Sequence, residues 1–314
     1  MAVIRVSNTK NRKSERIYQL TVGDYNNGKG FQLTSEDTDR PLQMTFTVDK
    51  ASDNKKTHTG NTASIEVYNL SPEQERMLDS RFIEATLYVG YKDGDGLKLL
   101  CSGNLTECST TKRGTDSITQ MVIGEGYVNL TQSKLSRILS PGQTVQDVLN
   151  IITDNMPGVA RGPMVGTNLN SPLIHGWRLN GTAKEELDKI TKAYKLEYNI
   201  TGDTLTVTDV NGPFSKSVTT VPVISETTGM VEAPFRTTEK LNLSKKDKRV
   251  RYGVQVKVLL DAALIPSQVI RLEYGELTGY YRIRAVQYTG DFRGNNWYAE
   301  MRCNAMEGDD VTVV

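Results

Sequence analysis

Few side chains in this sequence can do chemistry near neutral pH. There are two histidines, His58 and His175, and three cysteines, Cys101, Cys108 and Cys303. Histidine titrates nearest the working range of acid–base catalysis. His58, however, lies in the polar run Asp53 to Asn61, which reads as a loop, and His175 reads as a half-buried, hydrogen-bonded strand residue. One histidine cannot make a metal site alone. The cysteines form no C-x-x-C pair, so neither a disulfide framework nor a zinc knuckle is expected, and their sparse use points to folding in a reducing cytoplasm.

Motif-borne catalysis has no support either. The sequence holds no G-x-S-x-G elbow, H-E-x-x-H pair, phosphate-binding G-x-x-x-x-G-K-[ST] loop or EF-hand carboxylate ladder. Gly28-Lys29-Gly30, Gly94-Asp95-Gly96 and Gly124-Glu125-Gly126 begin like dinucleotide fingerprints but lack the third glycine and the expected strand-to-helix setting. No catalytic residue, cofactor site or metal site is therefore assigned. Glycoside hydrolysis needs only two carboxylates about 5 to 10 Å apart. With 37 Asp and Glu present, spacing leaves a cell-wall lytic enzyme open as an alternative.

The densest charge run, Lys245, Lys246, Asp247, Lys248, Arg249 and Arg251, supplies the candidate partner interface. Clustered cations attract phosphate or an acidic partner, so a nucleic-acid-binding protein is a second alternative. The plainer reading is a solvated strand edge guarded by lysines. No aromatic residue is interleaved, so a base-stacking platform is not indicated. Trp177 and Trp297 sit in apolar strand contexts and read as core anchors.

The whole chain has 314 residues, with 38 Lys and Arg against 37 Asp and Glu, a formal charge of +1. That balance removes a whole-chain electrostatic argument for nucleic acid or an anionic membrane. No stretch approaches the roughly 18 apolar residues of a membrane span, and the basic start has no apolar segment after it, so neither anchor nor secretion signal is expected. Six N-x-[ST] triplets, among them those at Asn104 and Asn199, read as polar turn chemistry.

These residues must be positioned by a mainly β chain with an α+β middle. From Val3 to Tyr127, period-two segments bounded by Gly, Asn and Asp predict an antiparallel sheet: Ile17–Val22, Leu42–Val48, Ala63–Tyr68, Ala85–Tyr91, Leu97–Cys101, Leu105–Cys108 and Ser117–Ile123. Ser71-Pro72-Glu73-Gln74 predicts a short capped helix inside that series. Thr144 with Val145, Val148, Leu149 and Ile152, and Thr182 with Glu185 ahead of Leu187, Ile190 and Tyr194, predict two further helices. Between them Leu173–Leu179 reads as extended, and Leu196–Ile200 with Leu205–Thr208 makes a hairpin. Strands return at Val254–Leu260, Val269–Tyr274, Tyr280–Tyr288 and Asn296–Cys303, the last two as a long hairpin. Sliding the chain by 180 positions superposes Arg113-Gly114 on Arg293-Gly294 and Met121 on Met301. That hints at two copies of one barrel-like unit. The expected architecture is thus two β-barrel-like, tube-type domains, 1–129 and 213–314, flanking a small helix-bearing domain, 130–212.

Three stretches together resemble the tail-hub, or baseplate hub, proteins of tailed bacteriophages, a family that includes the hub of phage Mu. The first is Ala63-Ser64-Ile65-Glu66-Val67-Tyr68-Asn69-Leu70-Ser71-Pro72-Glu73, followed by Leu87–Tyr91 and Leu99–Gly103, with Cys101 where a bulky apolar residue is usual. The second is Leu179-Asn180-Gly181-Thr182-Ala183 with Leu187 and Ile190, leading to Tyr198–Ile200 and Leu205–Val207. The third runs from Gly253 to Leu260, then Ile270–Leu272, Tyr281–Val286 and Arg293–Tyr298. The resemblance implies a virion structural protein without turnover: a homotrimer at the tip of the tail tube, made in the host cytoplasm. It further implies tail tube protein, central spike, tape-measure and other baseplate proteins as partners, with DNA met only in passage through the channel. Two related barrels per chain, taken three times, would let a three-fold hub meet a six-fold tube.

Overall fold

The computed structural model describes residues 2–7, 13–36, 38–52, 61–79, 82–210, 212, 219–240, 250–306 and 311–313. Its first half carries β1 (Ala2–Ser7), β2 (Arg16–Asp24), β3 (Lys29–Thr34), β4 (Met44–Ala51), β5 (Thr62–Tyr68), α1 (Pro72–Met77), β6 (Glu84–Tyr91), β7 (Gly96–Arg113), β8 (Asp116–Gly124) and α2 (Tyr127–Gln132). The middle holds β9 (Lys134–Leu139), α3 (Val145–Asp154), β10 (Ala160–Val165), β11 (Trp177–Thr182), α4 (Ala183–Tyr194), β12 (Leu196–Thr201) and β13 (Thr204–Asp209). The last part adds β14 (Thr219–Ile224), β15 (Phe235–Lys240), β16 (Val250–Leu259), β17 (Val269–Leu272), β18 (Gly279–Asp291), β19 (Trp297–Ala305) and β20 (Val311–Val313).

Alternation builds the strands. In β5, Ala63, Ile65 and Val67 turn inward while Thr62, Ser64 and Glu66 turn outward, as period-two side chains on a sheet with one buried face must. The helices start where their caps are. Ser71, Thr144 and Thr182 each accept from the backbone N–H three residues on, and Gln74, Asp147 and Glu185 reach back to close the box. The 201–204 hairpin turn has Gly202 at φ 54° and Asp203 at φ 57°, the two positive values that match strand twist in a two-residue loop.

Several expectations are corrected. Leu97–Cys101 and Leu105–Cys108 are one bent strand, β7, whose bulges absorb the break. The extended stretch begins at Trp177, because Ile174 and His175 form a turn. The larger correction concerns the barrels. Among the described residues no sheet closes on itself: fifteen strands form one open sheet, with the path β20-β1-β14-β17-β18-β4-β5-β8-β7-β6-β2-β3 and with β19, β16 and β15 branching from β18. The physical reason lies in β4. Its outer edge pairs with β18 from Thr45–Asp291 to Ala51–Ala285, so the hydrogen bonds that could have closed the first half join it to the second. One apolar core accordingly runs through both halves, from Tyr18 to Cys303. A separate core, Leu130 to Val207, lies under α3 and α4 with the β10-β13-β12 sheet.

Within the large sheet one strand order occurs twice. β4-β5-β8-β7-β6 in the first half matches β15-β16-β19-β18-β17 in the second, every neighbouring pair antiparallel. The irregularities match too. Leu105 faces Ile123 and, past one extra residue, Glu107 faces Val122 and Cys108 faces Met121. Likewise Ile283 faces Cys303 and, past one extra residue, Ala285 faces Arg302 and Val286 faces Met301. A bulge bends its strand and sharpens the twist, so the two units bend at the same place.

Candidate assembly interface

The residues singled out by chemistry do not converge. Lys245, Lys246, Lys248 and Arg249 lie outside the described residues, as does His58. Arg251 is the second residue of β16, its backbone opposite Glu239 of β15. His175 is exposed in a turn rather than half-buried in a strand. Trp297 is 1% exposed, its ring 5.3 Å from that of Phe46 in an edge-on contact, whereas Trp177 is only partly buried, 6.3 Å from Tyr194. Gly124-Glu125-Gly126 does stand between a strand and a helix, β8 and the short α2. Its centre is a buried carboxylate, which would repel phosphate. No group of three or more His, Cys, Asp or Glu among the described residues could hold a metal ion.

What the fold does bring together is a buried polar seam where the three parts of the chain meet. Lys50 continues the inward series Met44, Phe46, Val48 and donates to Glu125 Oε1 at 3.0 Å, the two side chains 3% and 1% exposed. Asn61 Nδ2 donates to Glu125 Oε2 at 2.7 Å and to the Ile200 carbonyl of β12 at 2.8 Å, while Asn199 of the same strand donates to the Ala51 carbonyl. A second ion pair joins Arg282 of β18 to Glu197 of β12, with Ser267 Oγ accepting at 2.7 Å. Buried charges persist only when paired and hydrogen-bonded, so these contacts fix how the middle part sits on the sheet. Asn199, read from sequence as turn chemistry, is 7% exposed within this seam. The signal that could have found Lys50 was a charge at the inward parity of an apolar strand.

The β4–β18 joint is held at its far end as well. Arg16 of β2 donates to the carbonyls of Asp291 at 3.0 Å, Gly294 at 2.5 Å and Asn295 at 3.2 Å, and lies 5.5 Å from the Trp297 ring. Gln43 donates to Asp291 at 2.7 Å and accepts from the Arg293 amide at 3.1 Å. Phe46 covers Gly290 so closely that a Cβ there would stand 2.1 Å from the ring.

Among the described residues, burial and hydrogen bonding displace several titrating groups. Burial pushes the Cys101 thiol up to about 12, with the Glu125 carboxylate adding to the effect, and burial raises Cys303 and Tyr288 further. Backbone and hydroxyl donors of Thr144 and Thr182 lower Asp147 and Glu185. These groups move away from neutrality, opposite to the tuning that proton transfer at pH 7 requires. The arrangement is suited to holding surfaces in register.

No family model matches the chain, and no curated protein matches it in sequence. In three dimensions it has a fold found in tail proteins. A tail protein from Neisseria meningitidis MC58 superposes with a TM-score of 0.61 at 12% identity, over 95% of this chain and 100% of that one. The 43 kDa tail protein of prophage MuSo2 from Shewanella oneidensis gives 0.58 at 10% identity, over 92% and 98%. An E. coli component of the type VI secretion system, described as similar in structure to the T4 tail proteins gp27 and gp5, gives 0.58 at 12% identity, over 87% and 76%.

Proposed function

We propose that this chain is the structural hub of a phage tail baseplate, a trimeric ring that joins the six-fold tail tube to the three-fold central spike. The observation that carries the reading is the repeated strand order with its repeated bulge. Two like units in each of three chains present six similar edges to a six-fold partner, so the symmetry mismatch is taken up within the chain. The shared fold with tail proteins supports the same role. In this reading 1–129 and 213–314 are the tube-type parts and 130–212 the insertion. The partners are tube, spike, tape-measure and neighbouring baseplate proteins, and DNA passes through the channel.

Native mass spectrometry at micromolar concentration, with tube or spike protein supplied, tests this. A trimer is expected, alone or in complex. Free monomer throughout would refute the reading.

A further inference from the structure

The two like units differ in what covers their edges. In the second unit the C-terminal half of β18, Ala285–Asp291, is paired with β4. In the first unit the corresponding half of β7, Glu107–Arg113, has β8 on one side and no strand on the other among the described residues. Conversely β4 has both edges paired, while its counterpart β15 is paired only with β16 among the described residues. Each unit thus has one unused strand edge among the described residues, and the two are of the kind already joined once inside the chain.

Burial follows the pairing. Val286 and Tyr288 are 1% and 0% exposed under β4, but Cys108 and Thr110 at the same places in β7 are exposed. Val48 is 0% exposed, but its counterpart Arg236 is exposed. Phe235 on β15 is 55% exposed, a large apolar surface at an open edge, and Tyr252 of β16, opposite Thr238 on the other face, is 66% exposed. Unpaired edges are normally kept short, bulged or covered. Beside the free edge of β7 runs a groove of about 370 Å³ lined by Leu78, Phe82, Leu105, Cys108 and Tyr127.

We infer that the free half of β7 in one copy pairs antiparallel with β15 of the next copy, repeating the β18–β4 joint between chains. The inference rests on the trimeric reading for the number of copies; a head-to-tail contact of this kind closes into a ring when its rotation permits. The register is fixed by the joint within the chain. Val286 pairs with Lys50 there, and Val286 and Cys108 each face the matching methionine across their hairpins. Val48 faces Ala63, which faces Ile123; Arg236 faces Val254, which faces Cys303. Arg236 therefore stands for Val48 and Thr238 for Lys50. Between chains, Cys108 faces Thr238, Ser109 faces Thr237, Thr110 faces Arg236 and Thr111 faces Phe235.

Cys108 is the exposed thiol of the three, Cys101 and Cys303 being buried, and directly opposed residues in an antiparallel pair have the Cα spacing a disulfide needs. The test is Thr238→Cys in the full chain, oxidised with glutathione disulfide and run on a non-reducing gel beside native mass measurement. Covalent trimer is expected, with loss of the band in Thr238→Cys/Cys108→Ser and much less of it in Thr237→Cys, which sits one register step away. A native trimer without the covalent band, or with equal bands from both positions, would overturn this edge pairing while leaving the hub reading intact. Monomer throughout, with tube and spike proteins present, would overturn both.

Discussion

Replacing Lys50 by Met tests the claim that the buried seam holds the three parts of the chain together. The substitution keeps an unbranched apolar stem, with sulfur in place of one methylene, and removes the ammonium. Glu125 would then keep Asn61 at 2.7 Å and the Ser102 amide at 3.3 Å, two neutral donors around a carboxylate 1% exposed. A pair at 3.0 Å attracts by roughly 5 kcal/mol at an effective dielectric near 20, part of which is offset by the desolvation of Lys50. Breaking one member of such a pair costs about 3–5 kcal/mol. A chain of this length unfolding as one unit shifts by roughly 1.5 °C per kcal/mol, so Tm should fall by about 5–8 °C at pH 7. The double variant Lys50→Met/Glu125→Gln removes both charges and should recover most of that loss. Because Asn61 also holds Ile200 and Asn199, hydrogen exchange in the β12–β13 hairpin should quicken in the single variant. A single variant within about 1 kcal/mol of the wild type, the size of a surface pair, would show that the seam does not act as argued.

Gly290→Ala places a methyl carbon within 2.1 Å of the Phe46 ring and should destabilise by about 1–3 kcal/mol. Urea unfolding measures the loss, and near-ultraviolet circular dichroism should report a disturbed Trp297, which packs on Phe46; an unchanged spectrum and midpoint would refute the contact. Thiol titration of the native chain at pH 8 should label Cys108 and spare the buried Cys101 and Cys303, with all three labelled in denaturant. The folded chain keeps the Cys101 proton up to about 12 while an unfolded chain loses it near the ordinary value of 9.0. Stability should therefore be flat with respect to this group below pH 9 and fall as pH rises toward 12. Cys101→Ala should flatten that slope.

Composition and periodicity by themselves determined the local elements. The helix starts at Ser71, Thr144 and Thr182 were legible because a cap needs only residues three apart. The hairpins at 201–204 and 291–296 were legible because turn chemistry is equally short-range. Even the match of Met121 with Met301 could be seen, since a repeat leaves its spacing in the chain. β3 and β15 were missed because their alternation is short and polar.

Tertiary structure alone decided which strand neighbours which. That β4 pairs with β18, and not with a strand that would close its own half, depends on hydrogen bonds between residues some 240 positions apart, and no local pattern encodes such a choice. The same holds for the seam: Lys50, Glu125, Asn199 and Arg282 are ordinary polar residues in the sequence. They become a seam only because distant strands of the large sheet and the β12–β13 hairpin bury them together, where a charge without its partner would be too costly to keep.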